Sequence, residues 1–144
     1  MRLFQIGLVV IVLSVLTAPA EAQSAIYIES QKLTEAFAKP GNLVNEGGYR
    51  VQTSRRVKPG SAEVHEKETD IFYIVDGAAT FVTGGSVIQP KSSSANQILG
   101  TGINGGESRR ISKGDVVVIP AGIPHWFKEV DGSINYLVVK VVKP

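Results

Sequence analysis

The 144-residue chain has the length of one ordinary domain, and its lack of cysteine excludes disulfides, thiolate chemistry and cysteine-bound metal. Its 15 basic and 13 acidic residues leave a formal net charge of +2. They are interspersed rather than gathered in runs, so neither nucleic acid nor an acidic surface is implied as a partner.

The first predicted element is a leader over residues 1–22. Arg2 gives a positive start, and Ile6 to Leu16 is an apolar run broken only by Gly7 and Ser14. Ala18-Pro19-Ala20-Glu21-Ala22 then offers small residues at the spacing of a peptidase site. The run is shorter than the ~20 residues that span a bilayer, so an uncleaved anchor is the weaker alternative. Cleavage after Ala22 and export to the periplasm or medium are expected, with no membrane association afterwards.

Residues 23–41 read as an extension. Ile26-Tyr27-Ile28 suggests a short strand, and Ser30 to Lys39 a helix with Leu33, Ala36 and Phe37 at helical spacing. Ser30 is its expected cap and Pro40-Gly41 its stop. From 42 to 144 the pattern is strands between turn residues. Gly48 to Val57 alternates Tyr49, Val51, Thr53 against Arg50, Gln52, Ser54, and Lys58-Pro59-Gly60 turns the chain into Ser61 to Glu66. Further strands are expected at Asp70 to Asp76, Ala78 to Thr83, Ile111-Ser112, Asp115 to Ile119, His125 to Val130 and Ile134 to Val142. Ser86 to Gly106 reads as an irregular insert, a flexible loop or lid over a barrel mouth. Within it Gly100-Thr101-Gly102-Ile103-Asn104-Gly105 matches G-x-G-x-x-G, but no helix follows to face a pyrophosphate, so a dinucleotide site is rejected. The fold class that follows is all-β: a single-domain barrel or jelly roll with one short N-terminal helix.

The chain has two histidines, and each lies in a dense local pattern. Gly114-Asp115-Val116-Val117-Val118-Ile119-Pro120-Ala121-Gly122-Ile123-Pro124-His125 fits G-x5-P-x-G-x2-H, and Glu63-x-His65-x4-Asp70-x6-Gly77 is a second set of fixed spacings. Together they resemble the two motifs of the cupin superfamily, over roughly Asn42 to Val142. The first departs from the usual H-x-H-x3-4-E by having Glu63 and Asp70, a variant found in small single-domain cupins. Where the second motif usually continues to an asparagine, this chain has Glu129.

The resemblance implies a cupin barrel with a metal held by Glu63, His65, Asp70 and His125. Alternation supports it independently: Glu63 and His65, two apart on a strand, leave the same face. Asp70 would come level with His65 from a partner strand, and His125 from the opposite sheet. Glu66 and Glu68 are nearby alternatives to Glu63, and Asp70 as a plain turn residue is the alternative to ligation. Such a nitrogen and oxygen donor set suits one divalent ion, manganese or iron ahead of zinc. Phe72 shares a face with Asp70 and Phe127 with His125, so both are expected to line the pocket beneath the ion, with core packing as the alternative. Of Arg109 and Arg110 one can face the cavity, and Arg109 is the candidate for holding a substrate; a solvated surface pair is the alternative.

A small metalloenzyme acting on a polar small molecule is the leading expectation. The alternatives are a non-catalytic binding module for a sugar or organic acid, and a structural barrel without metal. Pairing of two copies through edge strands is expected by analogy with many cupins.

Overall fold

The structure is a computed structural model and describes residues 24–142; the predicted leader lies outside them. Helix α1 (Ser30–Ala38) is followed by β1 (Asn42–Asn45), β2 (Tyr49–Arg56), β3 (Ala62–His65) and the long β4 (Glu68–Thr83). The short strands β5 (Ser86–Ile88), β6 (Lys91–Ser94), β7 (Gln97–Gly100) and β8 (Gly102–Asn104) come next. The chain ends with β9 (Glu107–Ser112), β10 (Val116–Ile119) and the long β11 (His125–Val142). The expected all-β architecture is present. No strand forms at Ile26–Ile28, where Ile26 and Tyr27 are exposed and no strand among the described residues pairs with them. Nor does Ser30 cap the helix: Glu29 holds that position, without a side-chain capping bond.

The organising unit is the antiparallel ribbon of β4 and β11, in register from Glu68↔Val142 to Thr83↔His125. It folds over on itself near its middle. One half of β4 pairs onward to β10 and the matching half of β11 to β2, giving the sheet β1-β2-β11-β4-β10. The other half of β4 pairs to β9 and the start of β11 to β3, giving β6-β7-β3-β11-β4-β9. The fold-over lies at Gly77 and the register shift between Val130 and Ile134. Gly77 has φ +81, and a Cβ there would lie 1.9 Å from the Ser133 carbonyl oxygen, so only glycine lets the ribbon turn this tightly. This is the physical reason for a glycine seven residues after Asp70.

Between the two sheets lies the core: Phe72, Ile74, Phe81, Phe127, Ile134 and Tyr136, with Ala79, Ile111, Ile119 and Val138. Aromatic rings dominate it, with Phe81 and Phe127 centroids 4.7 Å apart and tilted by 60°.

Alternation on β2 left open which set faces inward, and the structure gives the polar one. Gln52, Ser54 and Arg56 line the lumen, while Thr53 lies beneath α1, its hydroxyl donating to the Ala36 carbonyl at 3.0 Å. Residues 86–106, expected as an irregular insert, are ordered into strands. They form nested pairs, β5 with β8 and β6 with β7, and β7 extends the sheet from β3. Val87 and Ile103 from this insert, with Trp126, pack on Ala62 and Val82 as a second small core. Two apolar side chains suffice because Gly100 has none: a Cβ there would meet Val87 Cγ1 at 2.2 Å. That close approach, rather than a phosphate, accounts for a glycine in this stretch.

Candidate metal centre

Strand alternation puts Glu63 and His65 on the inner face of β3, while Ala62 and Val64 are buried on the other. His125, the first residue of β11, sits directly beside Glu63 in register. It therefore comes from the adjoining strand, which corrects the expectation that it would approach from the opposite sheet. Asp70 is the residue that crosses. The chain at Glu66-Lys67 passes between sheets instead of closing a hairpin, so β4 pairs with β10, β11 and β9 and not with β3. The loop delivering His125 is pinned at this corner: Gly122, at φ +84, donates its N–H to the His65 carbonyl at 2.8 Å. The Ala121 N–H reaches Thr69 Oγ1 at 3.3 Å.

The donor atoms of Glu63, His65 and His125 all lie within 4.8 Å of one another. His65 Nε2 is 3.5 Å from Glu63 Oε2 and 3.4 Å from Asp70 Oδ2, and His125 Nε2 is 3.9 Å from Asp70 Oδ2. His125 Nδ1–H donates to the Ile123 carbonyl at 3.2 Å, which leaves the Nε2 lone pair aimed into the lumen. Its ring is bedded on Phe72 and Phe81, at 6.3 and 6.1 Å between centroids. Burial holds His125 below its ordinary pKa of 6.5, against the raising effect of the Ile123 bond, Asp70 and Glu63. For Glu63 burial acts upward, but the hydrogen bond with His65 and the charges of Arg56, His125 and His65 outweigh it and keep the carboxyl below 4.5. A neutral imidazole and an ionised carboxylate are the forms that ligate a cation. Two imidazoles and a carboxylate meeting at one point fit a divalent ion of the manganese, iron or zinc kind.

Asp70 stands next to this trio but is gripped from behind. Lys140 Nζ donates to both of its oxygens, at 2.6 and 2.8 Å, and both residues are buried. Lys140 also lies 3.5 Å from Glu68 Oε2. The carboxylate already has a cation, and its Oδ2 still faces both histidines.

The donors open onto a cavity of about 210 Å³ lined also by Gln52, Ser54, Ser61, Gln97 and Trp126. Phe72 and Phe127 line it and also pack in the core. The cavity arginine is Arg56, not Arg109. Its Nε donates to Tyr136 Oη at 3.0 Å and Nη2 to Glu63 Oε1 at 3.3 Å, with the guanidinium 4.7 Å over the Phe127 ring. Burial alone would lower the Arg56 pKa, yet Tyr136 and Glu63 raise it; burial raises that of Tyr136 against the pull of Arg56. Arg109 shares the face of Phe81 but sits on the edge strand β9, where the sheet ends. It is exposed, pairs with Glu107, and borders a wider cleft of about 700 Å³ beside β10. Arg110 pairs with Asp131 on the surface. Glu129 is likewise external, accepting from Thr80 Oγ1 at 3.1 Å, so its replacement of asparagine does not touch the site.

A family model described as Cupin matches residues 40–142. The chain belongs to the cupin family. No curated protein matches this cupin in sequence. Among solved structures, a Bacillus halodurans protein aligns with TM-score 0.59 and 10% identity, over 86% of each chain. A Neisseria meningitidis protein gives 0.55 and 13%, over 81% of this cupin and 99% of that protein. KdgF from a Halomonas species gives 0.53 and 16%, over 73% and 78%. At such identities the likeness concerns the fold alone.

Proposed function

We propose that this cupin is an exported metalloenzyme that holds one divalent ion, manganese or iron ahead of zinc, and acts on a polar small molecule in the lumen. The observation that carries the reading is the convergence of Glu63, His65 and His125 at the edge of a polar-lined cavity. An ion there would supply Lewis-acid polarisation of a bound oxygen atom. The chain's own part is to fix the donors, through Ile123 on His125 and Gly122 on His65, and to exclude bulk water with Phe72, Phe127 and Trp126. Export rests on the apolar run Ile6–Leu16 and the alanines at 18, 20 and 22.

A second reading, a barrel without metal, is favoured by one feature. Lys140 already neutralises Asp70, and Arg56 contacts Glu63, so the carboxylates are compensated without an ion. Metal analysis of protein purified from the export compartment decides between them. About one equivalent per chain is expected; folded protein with none overturns the enzyme reading.

A further inference from the structure

Resting on the metal reading above, we infer that the cavity takes a small organic anion, a carboxylate, with Arg56 as its anchor. The inference starts from charge. Besides the two histidines, the ionisable side chains lining the cavity are Arg56, Lys140, Glu63 and Asp70, plus the phenol of Tyr136. The two cations and two carboxylates cancel. A divalent ion on neutral imidazoles then leaves a net charge of +2 in a half-open cavity whose inner residues His65, Asp70, His125 and Lys140 are buried, where uncompensated charge is costly. An anionic ligand lowers that cost and a neutral one does not.

The two cations are not equivalent. Lys140 is occupied by both oxygens of Asp70 and by Glu68. Arg56 has five N–H donors and makes two side-chain hydrogen bonds among the described residues, to Tyr136 and Glu63. Its side chain keeps 27% of its surface accessible. The Phe127 face and these two bonds hold the guanidinium plane fixed, so it meets a carboxylate without first being ordered. Nη1 is backed by Gly60, where a Cβ would come within 2.4 Å of it; a side chain at 60 would displace the fork. Beside this anchor, Gln52 and Ser54 on the same face of β2, with Ser61 and Gln97, supply amide and hydroxyl groups for the oxygens of a polar ligand.

Size narrows the class. A cavity of about 210 Å³ has room for roughly seven water volumes, the scale of an organic acid of about three to six carbons, and is below the usual range for larger ligands.

The test uses full-length protein processed by its host, with metal content measured first, and compares lactate with lactamide, which differ in charge and hardly in size. Calorimetry on metal-loaded protein is expected to show lactate binding at least tenfold more tightly than lactamide. In Arg56→Gln that retains metal the ratio should fall toward one. Equal affinities, or a preference for lactamide, in wild-type protein carrying its metal would overturn the anion assignment and leave the metal reading standing. Folded protein without metal would overturn both. If Arg56→Gln loses its ion through Glu63, the wild-type ratio still decides the anion assignment, and Gly60→Ala, which displaces the guanidinium, tests the anchor.

Discussion

The two ends of the barrel lumen are built from the same strands and do different jobs. At the folded-over end, inward positions are Ile74, Ile111 and Ile134, closed and apolar. At the other end the same strands turn inward Asp70, His125 and Lys140, with Glu63, His65 and Arg56 from their neighbours. Along β4 the change takes three inward residues, Asp70, Phe72 and Ile74. The ribbon's fold-over brings its two far ends face to face, so Asp70 meets His125 although 54 sequence positions separate them. Stability is concentrated at one end, which leaves the other free to hold charges that a core would not tolerate.

The sharpest break of this contrast is His65→Ala with His125→Ala. Metal content should drop from about one equivalent to background, with circular dichroism unchanged. Stoichiometric metal in that variant would remove the site altogether. At the apolar end, Ile134→Ala should cost ~2–5 kcal/mol in urea unfolding while the folded fraction keeps its metal. A large loss of metal affinity would show that the ends are not separable.

Lys140→Met probes the boundary. Stranding Asp70 in metal-free protein should cost ~3–5 kcal/mol. Loading the ion should recover part of that if Asp70 Oδ2 faces it, and an equal cost in both forms would place Asp70 outside its reach.

The smallest effect expected is on acid stability of metal-free protein. His125 and Glu63 both have lowered pKa values, so the folded chain binds fewer protons than the unfolded one. The contribution of His125 is complete above 6.5 and is lost as pH falls through its folded value; that of Glu63 follows below 4.5. The melting temperature should fall with acid from about pH 6.5, and a flat or rising profile would contradict the burial of His125.

Much of the site could be read from spacing. Glu63 and His65 had to share a face because strands alternate, and Gly114 to His125 is dense enough in fixed residues to locate the second histidine. Arg56 and Lys140 gave no such signal. Arg56 ends a polar alternation that on an ordinary strand faces solvent, Gln52-x-Ser54-x-Arg56 on β2, and Lys140 is a single cation among valines on β11. The insert was misread for a related reason, since short strands rich in serine and glycine do not look like a sheet until β3 offers them an edge.

By itself the sequence determined that this is an all-β cupin barrel, with two histidines and at least one carboxylate on inward faces, because period and turn chemistry are local properties. Only the tertiary structure decided which face of β2 points inward, that Asp70 is shared with Lys140, and that the cavity arginine is Arg56. Alternation defines two faces of a strand, and what packs on each of them chooses between the two.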